Sequence, residues 1–239
     1  MNITFRGCVV VVAGGTGGLG SAISLAFLNE GARVFVTYRK EEEFLALKDL
    51  AALNQSSLEG GQVDVTDESA TAEFIEGAVA ESGALNVLVN AVGAYAGGVK
   101  LWDTKAGIFD RMLALNLRSG YVLARAVLPI MLNAGRGSIV NIAAKAAMDH
   151  ATGAAAYAAS KAGAVALMDS LAADCTGTGV RVNSVLPSII DTPANRLAMP
   201  DSDFRKWPKP EDIAQVVLFL SSDAAKTIHG AAIPVYGNG

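Results

Sequence analysis

The feature that most constrains the fold of this chain is a strand pattern that runs directly into a cluster of glycines. Residues 8–13, CVVVVA, form an unbroken apolar and mostly β-branched run, which is typical of a central strand in a parallel sheet. The cluster GGTGGLG follows at residues 14–20, and a helical pattern continues to about Asn29. A second strand pattern covers residues 33–38. The segment therefore predicts a βαβ unit, with the right-handed crossover that nearly all such units have.

The same alternation continues towards the end of the chain. Helices are predicted over residues 41–53, 67–82, 105–133, 156–175 and 211–222, and strands over residues 57–64, 85–90, 137–143, 180–185 and 231–236. This pattern predicts a single α/β domain spanning residues 1–239, a Rossmann-type doubly wound parallel sheet of about seven strands flanked by helices. The long irregular piece at residues 187–210 is predicted to be a substrate loop within it.

Composition and charge restrict the class of partner. Apolar residues make up 51% of the chain and charged residues 18%, which suits a sheet covered by helices on both faces. The net charge of −4 at pH 7 gives no basic surface for nucleic acid or an anionic membrane. No apolar run reaches the length of a membrane span and no leader pattern is seen, so we expect a cytoplasmic protein. His150 and His229 have no metal-ligand neighbours at useful spacing, so no metal site is predicted.

The glycine spacing indicates a nucleotide site. Gly14, Gly18 and Gly20 lie between the first strand and the first helix, where glycine permits a tight turn and lets backbone N–H groups approach a pyrophosphate. The helix N-terminus adds a partial positive charge. Such a motif is weak evidence alone, and a purely structural turn is the alternative, but the strand–turn–helix context favours dinucleotide binding.

The end of the second strand bears on the choice of cofactor. An acidic residue there would hydrogen-bond the ribose diol of NAD. The sequence is instead TYRK, with Arg39 placed to receive a 2′-phosphate and Lys40 beside it. We therefore expect NADPH to be preferred, with NADH possible; the alternative is that residues 39–43, RKEEE, are a solvated charge run. Asp64-Val65 ends the third strand, where the acid is expected to meet the adenine amino group and Val65 to lie beside it in the cofactor site.

A tyrosine and a lysine four residues apart indicate proton chemistry. Tyr157 and Lys161 lie at the start of a predicted helix, and residues at this spacing share a helix face. A nearby ammonium favours the phenolate, so the pKa of Tyr157 is predicted to lie below its usual value of about 10. Tyrosine then becomes a usable proton donor or acceptor. The alternative is an exposed helix pair without function.

These motifs together resemble the short-chain dehydrogenase/reductase family over essentially the whole chain. The resemblance rests on the glycine spacing, Asn90-Ala91-Val92-Gly93, Asn116, the Tyr157/Lys161 pair, Pro187 and Thr192. It implies an NAD(P)-dependent oxidoreductase in which Tyr157 is the catalytic proton donor and Lys161 also holds the nicotinamide ribose. The predicted cofactor contacts then include Thr16, Leu19, Asn90, Gly93, Pro187, Ile190 and Thr192. Small departures from the family pattern are Ala13 and Ser188.

The resemblance also implies a role for Asn116, which would hold a water that relays protons to Lys161. The alternative for Asn116 is that it stabilises a distortion of its helix. The family helices that correspond to residues 105–133 and 156–175 often form a four-helix interface. Both are apolar on more than one face here, so a homodimer or homotetramer is expected.

The chain lacks a hydroxyl that the family usually has. A serine that holds the substrate carbonyl is replaced by Ala144, and the preceding residue is also an alanine, Ala143. Loss of one such donor typically lowers the rate on the order of 10²–10³-fold. Thr152 is a weak candidate to replace it. Either the substrate needs less polarisation, or the protein is a non-catalytic dinucleotide sensor.

Within the family, three segments resemble dihydropteridine reductase, at residues 143–149, 93–98 and 191–207. That resemblance implies hydride transfer to a quinonoid dihydropterin, a flat conjugated ring that is already electron-poor. Arg39 departs from it, since that enzyme usually carries an acid at this position. A general carbonyl or 3-oxoacyl reductase is the alternative enzyme.

Four residues are predicted to touch the substrate, and each has a structural alternative. Ala144 stands at the serine position, and Tyr95 could stack on a flat ring. His150 could reach the substrate, although a solvated loop histidine is the alternative. Trp207 could stack or belong to the core.

Overall fold

The computed structural model of the chain describes residues 3–53 and 58–238. Its strands form one parallel sheet in the order β3-β2-β1-β4-β5-β6-β7. The strands are β1 (Val9–Ala13), β2 (Arg33–Tyr38), β3 (Leu58–Gln62), β4 (Val87–Asn90), β5 (Gly137–Ile142), β6 (Val180–Pro187) and β7 (Ala232–Val235). The predicted Rossmann-type α/β fold is confirmed.

Eight helices are described. They are α1 (Gly18–Asn29), α2 (Glu41–Leu53), α3 (Glu68–Ser82), α4 (Ala106–Leu113), α5 (Ser119–Ala134), α6 (Ala155–Asp174), α7 (Pro193–Ala198) and α8 (Pro210–Ser221). None of them is both long and apolar enough to cross a membrane. Residues 3–53 and 58–238 also contain no cluster of three or more His, Cys, Asp or Glu side chains that could hold a metal.

The valine run of β1 explains why the sheet is covered on both faces. Successive side chains of a strand point to opposite faces. Val10 and Val12 accordingly pack in a core with residues of α1 and α8, whereas Val9 and Val11 pack in a second core with residues of α5 and α6. A strand that must bury both faces needs apolar residues at every position, as the sequence pattern indicated.

From β1 the chain adds β2 and β3 on one side, and from β4 it adds β5, β6 and β7 on the other side. The direction in which strands are added therefore reverses between β1 and β4. In a doubly wound sheet this reversal opens a crevice at the carboxyl ends of the strands, where ligands bind. The glycine loop after β1 and the segment after β4 therefore face the same crevice.

Two predicted elements differ from the structure. The helix expected over residues 105–133 is two α-helices joined by a π-helical turn, Ala114–Arg118. The segment at 187–210 is not irregular throughout, because it contains α7 and a 3₁₀ turn, Phe204–Lys206. The predicted start of the third strand at Ser57 lies outside the described residues.

Candidate active site

The glycine loop is shaped by contacts that exclude side chains. Gly14 has a positive φ of 70°, and a Cβ on Gly20 would lie 2.0 Å from the carbonyl oxygen of Gly14. The Gly17 N–H donates to that same oxygen at 3.2 Å, which closes the turn. α1 begins at Gly18 with its N-terminus at this turn, and the first N–H groups of a helix have no partner within it. These residues fit a dinucleotide pyrophosphate.

Other predicted cofactor residues surround this loop. Thr192 packs over it, since a Cβ on Gly18 would lie 3.0 Å from Cγ2 of Thr192. Leu19 and Ile190 are partly buried against the core beside α1. Pro187 is buried at the end of β6.

An acidic residue of the charge run at residues 39–43 contacts the glycine loop. Glu43, in the first turn of α2, accepts a hydrogen bond from Oγ1 of Thr16 at 3.3 Å. Its other carboxylate oxygen pairs with Nζ of Lys40 at 3.0 Å. Arg39 is exposed, and its carbonyl oxygen accepts from Nε2 of Gln62 at 2.8 Å. Within the run RKEEE, Glu43 therefore contacts the glycine loop and forms an ion pair with the Lys40 ammonium. The Arg39 side chain is exposed.

The residues after β3 differ in their surroundings. Asp64 is exposed, and hydrogen bonds from Thr66 hold the pKa of its carboxyl below the usual value, with a smaller contribution from Arg39. The Val65 side chain is buried in the core that contains Phe35. Asp64 thus remains available to a ligand, whereas the Val65 side chain does not.

Asn90 joins two strands beneath the crevice. Its side chain is 1% exposed and donates from Nδ2 to Oδ1 of Asn141 in β5 at 2.9 Å. Its Oδ1 accepts from the Val92 N–H at 3.2 Å. These bonds fix how the chain leaves β4.

Lys161 is buried under the segment that follows β4. The side chain is buried, and Nζ donates to the carbonyl oxygen of Ile142 at 3.0 Å. A Cβ on Gly93 would lie 3.1 Å from this Nζ and 2.9 Å from Oδ1 of Asn116. Lys161, Gly93 and Asn116 are therefore brought together, as the predicted site requires.

Asn116 links the segment after β4 to α6 through hydrogen bonds. Its Oδ1 accepts from the Ala94 N–H at 2.8 Å, and its Nδ2 donates to the Ala94 carbonyl at 3.0 Å and to Oγ of Ser160 at 2.9 Å. The residue lies in the π-helical turn between α4 and α5, a feature often found at functional sites. The alternative role of Asn116 at a helix distortion is therefore present in the structure; the water relay stays a prediction.

The ionisation of Tyr157 differs from the expectation. Burial, with a smaller contribution from Tyr95, raises the pKa of Tyr157 to about 12, so the predicted lowering is wrong for the free protein. Burial also lowers the pKa of Lys161 to about 8. The reason is that burial disfavours the charged form of each group. Tyr157 is therefore a protonated phenol at neutral pH.

The structure supplies no hydroxyl at the usual serine position. Ala143 and Ala144 are buried in extended backbone after β5. Thr152 is exposed, and its hydroxyl accepts from Nζ of Lys100 at 2.9 Å. Tyr95 does reach the pair: its ring lies edge-on to that of Tyr157, with centroids 5.0 Å apart.

The remaining predicted substrate residues are Trp207, in the segment that contains α7, and His150, in the loop before α6. Trp207 is half-buried and packs against Phe204, with ring centroids 5.0 Å apart. The Arg196 guanidinium lies over the Phe204 ring at 5.0 Å and forms an ion pair with Asp191. Trp207 thus belongs to a small aromatic cluster within the segment. His150 is exposed, which is compatible with its solvated alternative.

Comparison with known proteins agrees with this geometry. The short chain dehydrogenase family profile matches residues 8–203. The 3-oxoacyl-[acyl-carrier-protein] reductase of Thermotoga maritima is 31% identical over 240 residues, covering 97% of both chains. D-threitol dehydrogenase of Mycolicibacterium smegmatis is 34% identical, covering 97% of this chain and 92% of its own.

A solved structure shares the fold over its whole length. It is a 7α-hydroxysteroid dehydrogenase complexed with NADH and 7-oxo glycochenodeoxycholic acid, with a TM-score of 0.89 and 28% identity. The superposition covers 100% of this chain and 96% of that one. The chain therefore belongs to the short-chain dehydrogenase/reductase family and is an NAD(P)-dependent oxidoreductase.

Proposed function

We propose that the chain is an NAD(P)H-dependent reductase of an electron-poor, conjugated acceptor, with a quinonoid dihydropterin as the specific candidate. The observation that carries the proposal is a complete proton-donating pair beside an incomplete oxyanion site. Tyr157 and Lys161 lie four residues apart in α6, with Lys161 buried, whereas Ala143 and Ala144 offer no side-chain hydrogen bond to a carbonyl oxygen.

The chemistry assigned to the chain is proton donation and positioning. When bound, the nicotinamide supplies a hydride to the acceptor. Tyr157, protonated because its pKa is about 12, donates its proton to the acceptor atom that receives the electron pair. The phenolate that remains recovers a proton from solvent, and the Lys161 ammonium stabilises it in the meantime.

An acceptor that is already electron-poor suits this site. A ketone needs hydrogen-bond donors for the negative charge that develops on its oxygen, and one missing donor lowers the rate on the order of 10²–10³-fold. A quinonoid ring regains conjugation when it is reduced, so positioning beside the cofactor contributes more of the acceleration. The resemblance of residues 191–207 to dihydropteridine reductase supports the same acceptor. Tyr95 and Trp207 are aromatic groups that could meet a flat ring.

A second candidate is reduction of a 3-oxoacyl thioester or another simple carbonyl. The observation in its favour is the 31% identity to a 3-oxoacyl-[acyl-carrier-protein] reductase over nearly the whole chain. A non-catalytic dinucleotide sensor is disfavoured, since a sensor has no use for a tyrosine proton donor in the same helix as a buried lysine.

NADPH remains the proposed cofactor, with NADH possible. The exposed guanidinium of Arg39 supports NADPH, and the carboxylate of Glu43 near Thr16 acts in the opposite direction. A homodimer or homotetramer also remains a proposal. It is supported by exposed apolar side chains of Phe109 in α4 and Tyr121 in α5, which a partner subunit would cover.

The experiment compares initial rates with chemically generated quinonoid dihydropterin, a 3-oxoacyl thioester and a simple ketone, each with NADPH and NADH. We expect the dihydropterin to be reduced fastest, and Tyr157→Phe to abolish its turnover. Robust thioester or ketone reduction without dihydropterin turnover would establish the second candidate instead. Binding of NADPH with no reduction of any acceptor would establish the sensor.

A further inference from the structure

The segment after β4 folds a second phenol over the catalytic tyrosine. The rings of Tyr95 and Tyr157 meet edge to face at 78°, with centroids 5.0 Å apart. Tyr95 is nevertheless 70% exposed, so most of its surface is open to solvent. An exposed aromatic ring in contact with a proton donor is available to a ligand that approaches that donor.

Gly97 gives the Tyr95 ring its position. A Cβ on Gly97 would lie 2.1 Å from Oη and 2.5 Å from Cζ of Tyr95. The hydroxyl therefore occupies space that any other residue at position 97 would fill. Gly97 is not among the glycines with a positive φ, so its backbone does not itself require glycine. Ala94, the residue before Tyr95, is hydrogen-bonded to Asn116 through both its N–H and its carbonyl. These bonds fix the start of the segment that carries Tyr95 and Gly97.

The Tyr95 side chain is close enough to influence the ionisation of Tyr157. Tyr95 is the second cause, after burial, of the raised pKa of Tyr157. On the β5 side of the site, Ala143 and Ala144 carry no donor, and the Thr152 hydroxyl is already bonded to Lys100. Tyr95, by contrast, carries a hydroxyl on an exposed side chain in ring contact with Tyr157, in the segment that Asn116 holds through Ala94.

We propose that the Tyr95 hydroxyl donates to the substrate the hydrogen bond that Ala144 cannot provide. Tyr95 is then a catalytic residue, reaching the acceptor from the β4 loop instead of the β5 loop. The acceptor must carry an oxygen or nitrogen lone pair next to a flat apolar face, because the phenol offers its hydroxyl and its ring to the same ligand. The inference rests on the proposed function in one respect, that Tyr157 is the proton donor.

The first test removes only the hydroxyl. Tyr95→Phe keeps the edge-to-face ring contact, and we expect kcat for the best acceptor to fall on the order of 10²–10³-fold, as for loss of one donor to developing charge. The dissociation constant of NADPH, measured by fluorescence, should stay within about two-fold because the phenol does not contact the glycine loop.

The second test restores a hydroxyl at position 144, on the β5 side of the site. It distinguishes a hydrogen-bonding role of Tyr95 from a purely structural one. In the Ala144→Ser background, Tyr95→Phe should cost less than about three-fold, because either hydroxyl can serve. A wild-type rate in Tyr95→Phe would overturn the inference. An equal loss in both backgrounds would overturn it too, since the ring would then act through packing alone.

A displacement variant tests position without changing the phenol. Gly97→Ala should push the Tyr95 ring from its place and lower kcat as Tyr95→Phe does. Gly107→Ala is the matched control, because a Cβ there meets nothing within 4 Å, and it should keep the wild-type rate. Full activity of Gly97→Ala would contradict the inference.

Tyr157→Phe separates this inference from the proposed function. If Tyr157→Phe retains turnover, the proposed function itself is wrong. If Tyr157→Phe is inactive while Tyr95→Phe is unchanged, the proposed function stands and only the role of Tyr95 is wrong.

Discussion

Gly93 lies directly against the buried ammonium of Lys161, so close that a Cβ on Gly93 would be 3.1 Å from Nζ. The same Cβ would lie 2.9 Å from Oδ1 of Asn116. Asn116 cannot easily move, because its oxygen is held by the Ala94 N–H at 2.8 Å. The absence of a side chain at position 93 therefore leaves the space that the Lys161 ammonium occupies beneath the crevice.

Gly93→Ala should harm activity more than stability. The added methyl group displaces Lys161 or the loop, and a misplacement of about 1 Å at a catalytic centre can lower the rate on the order of 10²-fold. We expect kcat to fall 10- to 100-fold and the free energy of unfolding to fall by about 1–3 kcal/mol. Steady-state kinetics and urea unfolding measure the two effects.

Gly77→Ala is the control for this substitution. A Cβ on Gly77, inside α3, meets nothing within 4 Å, so alanine should stabilise the helix by up to about 1 kcal/mol with no effect on rate. If Gly93→Ala kept the wild-type kcat, the close contact with Lys161 would have no part in catalysis.

Asn116→Ala should release the loop that carries Tyr95. The change removes both bonds to Ala94 and the bond to Ser160 and leaves the partly buried N–H and carbonyl of Ala94 without their partner, which costs about 2–3 kcal/mol of stability. Activity should fall as well, because Ala94 directly precedes Tyr95.

Ser160→Ala tests the same network with less disruption. It removes only one partner of Asn116, so we expect a loss of about 1 kcal/mol and activity near that of the wild type. The midpoints of urea unfolding at constant slope measure both variants. Equal losses of unfolding free energy in Asn116→Ala and Ser160→Ala would show that the two hydrogen bonds between Asn116 and Ala94 contribute little to stability.

The sheet could be predicted from the sequence, whereas the interruption beside the active site could not. The valine run of β1 has to be apolar on both faces, and that requirement is visible in the residues themselves. The π-helical turn at Ala114–Arg118 leaves no such pattern, because Asn116 is held by Ala94 and Ser160, which are distant in the sequence. Hydrophobic periodicity therefore indicates one helix where the structure has two.

The candidate site shows the same division. The spacing of Tyr157 and Lys161 indicated that they act together, but the direction of the Tyr157 pKa shift depends on burial and on Tyr95. Neither is encoded in the local spacing. Glu43 was likewise treated as part of a charge run, because its bond to Thr16 joins residues that are far apart in the chain.

Arg39 and Glu43 should act in opposite directions on cofactor choice. Arg39→Glu places a carboxylate where a 2′-phosphate would bind, and loss of a charge-assisted bond worth about 1.5–3 kcal/mol should weaken NADPH binding roughly 10- to 100-fold. Binding of NADH should change little. Glu43→Gln removes the carboxylate that holds Lys40 and should tighten NADPH binding about two- to five-fold, because a released cation adds attraction for phosphate.

Fluorescence titration of both cofactors measures these ratios, and the preference for NADPH should weaken at high salt. Glu42→Gln is the matched control, since Glu42 lies in the same turn of α2 but has only a weak electrostatic influence on Lys40. Equal affinity of Arg39→Glu and wild type for NADPH would assign Arg39 to a solvated charge run instead.

Lys161 should make the free protein more stable as the pH rises from neutral. Burial lowers its pKa from 10.5 to about 8. Between these values the unfolded chain binds a proton that the folded chain does not, so the free energy of unfolding increases with pH. The cost of the buried ammonium is fully present below pH 8 and is relieved above it. We expect a gain of about 1–2 kcal/mol between about pH 7.5 and 9.5.

Urea unfolding of the wild type and of Lys161→Met at matched pH isolates this contribution, because methionine is buried without a titrating group. Tyr157 acts in the opposite sense: its pKa is raised from 10.0 to about 12, so its contribution is lost only as the pH rises above 10 and does not enter the measured range. The difference between wild type and variant should therefore change steadily from pH 7.5 to 9.5. A constant difference would mean that Lys161 keeps its proton in the folded protein, and that a charged group stabilises the ammonium despite its burial.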